Sequence, residues 1–163
     1  MTVIDELLVS ADAYAETFDK GALPLPPARR VAIVACMDAR LDPGALLGLH
    51  EGDAHVIRNA GGVVTDDEIR SLAISQRLLG TEKIMLIHHT DCGMLTFKDD
   101  DFRRQIQDET GVKPEWAAEA FDDLETDVRQ SIGRLKKNPF VPHTGQVRGF
   151  VFDVTTGLLR EVE

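Results

Sequence analysis

VAIVAC, residues 31–36, is an apolar run in which Val31, Ile33 and Val34 are β-branched, and it breaks directly into the polar stretch MDARLDP, residues 37–43. An unbroken apolar run of this length predicts a strand covered on both faces of a parallel sheet, because a strand buried on one side would alternate. Two further segments read the same way: AHVIR, residues 54–58, and KIMLIHH, residues 83–89, which stays almost wholly apolar until its final residues. Between these two strands Thr65 and Glu68 have the spacing of a capping box. Ile69, Leu72, Ala73 and Leu79 then supply an apolar helical stripe, and Gly80 is placed to end it.

Beyond Cys92 the spacing predicts two helices, residues 98–110 and 117–137, the second striped by Ala117, Phe121, Leu124, Val128, Ile132 and Leu135 and stopped at Asn138-Pro139. VRGFVFDV and LLREV, separated by Thr155-Thr156-Gly157, predict a C-terminal hairpin at the sheet edge. Strands alternating with helices make this an α/β fold with a mostly parallel central sheet flanked by helices. On the N-terminal side, Leu7, Leu8, Ala11, Tyr14, Ala15 and Phe18 recur at helical spacing. Pro24, Pro26 and Pro27 in the following stretch hold the chain extended, so residues 1–30 read as a helical arm and tether reaching toward a second subunit, and residues 31–163 as a single α/β domain.

The chain has 163 residues, with 18 Lys and Arg against 28 Asp and Glu, a formal charge of −10 that argues against a nucleic-acid partner. With 43% apolar and 28% charged residues it has the composition of a globular chain. No apolar run approaches the roughly 18 residues of a membrane span, so no membrane partner is expected. MTVIDELLVS carries Asp5 and Glu6 and no basic segment, which argues against a signal peptide and predicts a cytoplasmic location.

Cys36 and Cys92 are the two cysteines, and in that compartment a disulfide is not expected. Either one, taken alone, reads as a small buried apolar residue. Their places change that reading. Cys36 closes the first strand and His89-Thr90-Asp91-Cys92 follows the third, so both lie beyond the carboxyl ends of parallel strands, where open α/β sheets bind ligands. A His-x2-Cys pair with one remote Cys supplies three ligands suited to Zn2+ and leaves a fourth position open, as catalytic zinc sites do. Asp38 is then either a fourth ligand or a hydrogen-bond acceptor for a zinc-bound hydroxide, and Arg40 is spaced to pair with it.

CMDAR at 36–40, RNAG at 58–61 and HTDCG at 89–93 together resemble the β-class carbonic anhydrases, in particular their short bacterial and archaeal-like branch, over nearly the whole chain from Val31. The resemblance implies one Zn2+ per subunit held by Cys36, His89 and Cys92, with Asp38 and Arg40 as the dyad that orients the nucleophile or closes the site. It implies reversible hydration of carbon dioxide to bicarbonate and a proton by a zinc-bound hydroxide. It further implies a homodimer, or a tetramer of dimers, with the N-terminal helix crossing to the partner. Some members of the family place the aspartate on zinc at lower pH and release it to the arginine at higher pH, so turnover is expected to rise with pH. A regulatory bicarbonate pocket found in another subset is marked by Trp three residues before the first Cys; Ile33 stands there, so that pocket is not expected although Arg58 is present.

Hydrolysis of carbonyl sulfide or carbon disulfide at the same zinc site is the nearest alternative, and a non-catalytic zinc module capped by Asp38 a more distant one. Strand alternation sends His88 and His89 to opposite faces, so His88 is expected in the core or behind the ligand shell. His50, His55 and His143 read as ordinary, partly exposed residues. Gly61, Gly62 and Gly93 either permit tight turns or bring amides near substrate. Asp99–Asp101 read as a solvated helix start, and Trp116 as core or interface.

Overall fold

The computed structural model describes residues 2–163. Among the described residues, five α-helices and five strands follow one another as α1 (Val3–Glu16), β1 (Val31–Cys36), α2 (Pro43–Leu47), β2 (His55–Asn59), α3 (Asp66–Arg77), β3 (Lys83–His89), α4 (Asp99–Thr110), α5 (Leu124–Lys137), β4 (Val147–Phe152) and β5 (Leu159–Val162). The sheet order is β2-β1-β3-β4-β5. β1 through β4 run parallel and β5 returns antiparallel on β4, the edge hairpin expected from the sequence.

The two most apolar runs, β1 and β3, lie inside the sheet, where both faces are dry. On one face Ala32, Val34, Ile84 and Leu86 pack with Leu72 of α3 and Leu135 of α5. On the other, Ile33, Ala35 and Ile87 meet Leu41, Met94 and Phe121, with Leu46 and Leu47 of α2 alongside. A fully buried Leu or Ile of this kind contributes about 1.5–3 kcal/mol. Gly149 on β4 lets α5 lie directly on the sheet, since a Cβ there would meet Val128 Cγ1 at 2.3 Å.

Glu68 reaches back to the Thr65 backbone N–H at 3.0 Å, so the capping box forms, although α3 ends at Arg77 and Gly80 serves the turn beyond it with φ +75°. The helix expected over 117–137 begins only at Leu124. Asp123 caps it by accepting from the Thr126 N–H at 2.7 Å. Ahead of that cap Asp99 accepts from the Glu119 and Ala120 amides at 3.0 and 2.8 Å, which gives those amides a partner outside any helix and holds Glu119 at φ +62°. Asp99 is therefore more than the start of a solvated helix. Trp116 is 55% exposed, so it is not a core residue of this chain.

No residue of α1 is buried. Val3, Ile4, Leu7 and Leu8 are each more than half exposed. The arm is tied down at its far end, where the Tyr14 hydroxyl and Lys20 Nζ donate to Glu51 at 2.9 and 2.8 Å. Among the described residues no helix is long and apolar enough to cross a membrane.

Candidate metal centre

Parallel pairing of β1 with β3 sets Ala35 beside Ile87, so Cys36 and His89 emerge together at the carboxyl edge of the sheet. The chain then turns through Asp91, in the left-handed region at φ +54°, and brings Cys92 back over the same edge. One ligand atom from each of Cys36, His89 and Cys92 lies within 4.8 Å of the others, and all three residues are buried.

The imidazole is oriented for a ligand on one side. His89 Nδ1 lies 2.8 Å from the Thr90 carbonyl oxygen, which only accepts, so Nδ1 carries the proton. Nε2 is then an unprotonated acceptor, and it is buried without a hydrogen-bond partner. An orphaned ring nitrogen facing two buried thiols is the chemistry expected of a site for a borderline-soft divalent ion, and the donor set fits zinc. The neighbouring Cys92 sulfur lowers the Cys36 thiol well below the ordinary thiol range against the opposing effect of burial, while the same contact and burial raise Cys92. One thiolate is thus already favoured in the folded chain. Burial opposes protonation of His89, but the neighbouring Cys36 sulfur and the Thr90 carbonyl raise its pKa on balance.

Asp38 lies at the mouth of this cluster, with Oδ2 3.6 Å from His89 Nε2. Arg40 holds it in a fork, Nε donating to Oδ1 at 3.0 Å and Nη2 to Oδ2 at 2.8 Å, and the Arg40 backbone N–H adds a third bond at 2.9 Å. These bonds keep the Asp38 carboxyl well below the usual carboxylate range. Arg40 also spans the mouth, with Nη1 donating to Asp91 Oδ2 at 2.8 Å and Nη2 to the Asp91 carbonyl at 3.0 Å. A cavity of about 390 Å³ opens onto the cluster and is walled otherwise by apolar surface from Met37, Ala60, Met94 and Phe97.

The family model for carbonic anhydrase matches residues 31–159. Beta-carbonic anhydrase 1 of Mycobacterium tuberculosis is 64% identical over 162 residues, covering 99% of both chains. The chain belongs to the β-carbonic anhydrase family. Among solved structures, a carbonic anhydrase from Streptococcus mutans superposes with a TM-score of 0.93 at 44% identity, covering 100% of this chain and 99% of that one. A carbon disulfide hydrolase of Saccharolobus solfataricus is 33% identical over 183 residues, covering 97% of this chain and 88% of that one.

In this β-carbonic anhydrase family member the structure also brings in residues that the sequence reading left aside. Asp91 was passed over as a spacer between His89 and Cys92, yet it completes the Arg40 clamp. Arg58 donates to carbonyls of the loop that carries Asp38. His88, fully buried, bonds Asp127 of α5 at 2.7 Å through Nε2, on the sheet face opposite to His89. His55 is half-buried against Ser75, and His50 and His143 are exposed, as expected. Of the three glycines, Gly61 and Gly62 have positive φ, whereas Gly93 has open space around it.

Proposed function

We propose that this protein is a zinc carbonic anhydrase that interconverts carbon dioxide and bicarbonate, with Cys36, His89 and Cys92 as the ligands of one Zn2+ per subunit and Asp38 and Arg40 as the dyad at its open face. The observation that carries this reading is the convergence of two buried sulfurs and the unpartnered His89 Nε2, with a carboxylate held 3.6 Å away in an arginine fork. Zinc, when bound, supplies a Lewis acid that acidifies water near neutral pH. The protein's own residues do the rest. Thr90 fixes the His89 tautomer, Asp38 accepts a proton-bearing oxygen at the site, and Arg40 with Asp91 keeps that acceptor aimed. The Met37, Ala60, Met94 and Phe97 walls admit an apolar gas while withholding hydrogen bonds that would retain bulk water.

The relative at 64% identity bears the carbonic anhydrase name and the carbon disulfide hydrolase is at 33%, which favours carbon dioxide as substrate. Stopped-flow hydration of carbon dioxide by the zinc-loaded protein, run beside hydrolysis of carbonyl sulfide and carbon disulfide, tests this. Turnover confined to the sulfur compounds would overturn it.

Asp38 stays ionised from pH 6 to 9 because Arg40 holds its carboxyl low, so a rise of activity across that range reports where the carboxylate sits, not its own proton. With zinc held by Cys36, His89 and Cys92, hydroxide would compete with the Asp38 carboxylate for the open face and leave it in the Arg40 fork, so turnover is expected to rise with pH. Asp38→Ala is expected to keep one zinc per chain while losing about 10–100-fold in kcat at neutral and alkaline pH. Full turnover in that variant, or a flat wild-type profile, removes the assigned role.

The exposed apolar residues of α1 support a homodimer, or a tetramer of dimers, in which residues 1–30 pack on the partner's catalytic unit. A cytoplasmic location accords with the reduced state needed by Cys36 and Cys92 as ligands.

A further inference from the structure

The loop after β1 curls so that the carbonyls of Cys36, Asp38 and Leu41 converge on one guanidinium. Arg58 Nε donates to the Cys36 carbonyl at 3.0 Å, and Nη2 lies 2.8, 2.8 and 2.6 Å from the carbonyl oxygens of Cys36, Asp38 and Leu41. All four of these side-chain bonds go to main-chain oxygens. Converging carbonyl dipoles repel one another, and a donor shared among them offsets that repulsion. The curled loop therefore needs a cation with several donors at its centre, which a guanidinium supplies in a rigid fork.

We propose that Arg58 is a positioning residue for the metal centre: it fixes the distance between Cys36, a ligand, and Asp38, the acceptor at the open face, by holding the main chain of both. Met37 N–H pairs with the Asn59 carbonyl at 2.7 Å and Leu41 N–H with the Asp38 carbonyl at 3.0 Å, while Arg58 supplies donors to the Cys36 and Leu41 carbonyls and a second one to Asp38. Register places Arg58 opposite Ala35 and Asn59 opposite Cys36, so the side chain departs from β2 one step behind the ligand and underlies the loop. Through Nε and Nη2, Arg58 holds the main chain of Cys36, Asp38 and Leu41, and this is how it acts on the site.

This proposal rests on the zinc reading above, and its test separates the two. Zinc transfer from the purified holoenzyme to a chromogenic chelator is followed at neutral pH for the wild type, Arg58→Lys, Arg58→Ala and Arg77→Ala. Arg77 donates to the Phe140 carbonyl at 2.9 Å far from the site and serves as the control for losing an arginine-to-carbonyl bond. Release is expected to quicken about 10–100-fold in Arg58→Ala, the range typical of residues that orient a metal ligand. Arg58→Lys should fall between, since its ammonium keeps the charge but ends short of the fork and lacks Nε. Arg77→Ala should match the wild type. Millimolar guanidinium should slow release in Arg58→Ala, an effect that a general loss of stability would not show. If Arg58→Ala does not fold, Arg58→Lys carries the release measurement. Wild-type release rates in both Arg58 variants, with melting temperature alone reduced, overturn the positioning role while leaving the zinc reading intact. A wild-type protein that never holds zinc overturns both.

Discussion

Cys92→Ser is expected to leave the chain folded, empty of stoichiometric zinc and inactive toward carbon dioxide. A neutral hydroxyl replaces a thiolate, and the two remaining donors, Cys36 and His89, cannot alone retain a borderline-soft ion. The loss in turnover should exceed the 10–100-fold effect of residues that merely orient a ligand. The fold should persist because Cys92 contributes only one small side chain to the cluster around Ile33, Ile87 and Met94. Metal analysis of the purified variant beside a hydration assay decides the matter. A variant that holds one zinc per chain and turns over at the wild-type rate would remove Cys92 from the centre.

Gly62→Ala should produce the second large effect, on stability and through it on the site. Gly62 has φ +70°, and a Cβ there would lie 2.9 Å from both the Cys36 amide nitrogen and the Ile87 carbonyl oxygen. Those atoms belong to the two central strands, so neither can step aside without disturbing the ends from which Cys36 and His89 project. Overpacking costs about 1–3 kcal/mol and a left-handed alanine adds roughly 1 kcal/mol. A total of about 2–4 kcal/mol corresponds to a fall of roughly 4–16 °C in melting temperature for a chain of this size. Gly93→Ala, with open space around the new methyl, is the comparison and should change little. Equal melting temperatures for the two variants would refute the close-approach argument.

Much of the architecture was legible in the chain. β1 and β3 were bounded correctly because an apolar run flanked by charge needs no tertiary information to read as a doubly covered strand. β2, expected at 54–58 and found at His55–Asn59, is at the sheet margin, where partial exposure weakens the pattern. The start of α5 was misread because Ala117 and Phe121 happen to continue its apolar period, while the deciding feature, the pairing of the Glu119 and Ala120 amides with Asp99, joins residues twenty and more apart. α2 was missed for a different reason: five residues are too few to show a period, and only Asp42 accepting from Gly44 and Ala45 signals its start.

The candidate site divides along the same line. Residue types and their spacing within CMDAR and HTDC determined which side chains were chemically able to bind a metal and which acid and base stood beside them. Spacing says nothing about orientation, however. That Nε2 of His89 rather than Nδ1 is free, that Arg40 bridges Asp38 and Asp91, that Arg58 underlies the loop and that Gly62 must lack a side chain all depend on which strands become neighbours. Hydrophobic periodicity is a local property that each segment carries with it, whereas hydrogen-bond direction and close approach exist only once segments distant in sequence have been packed together. The chain alone therefore specified the elements and the chemistry available, and the packed sheet decided the geometry in which that chemistry is held.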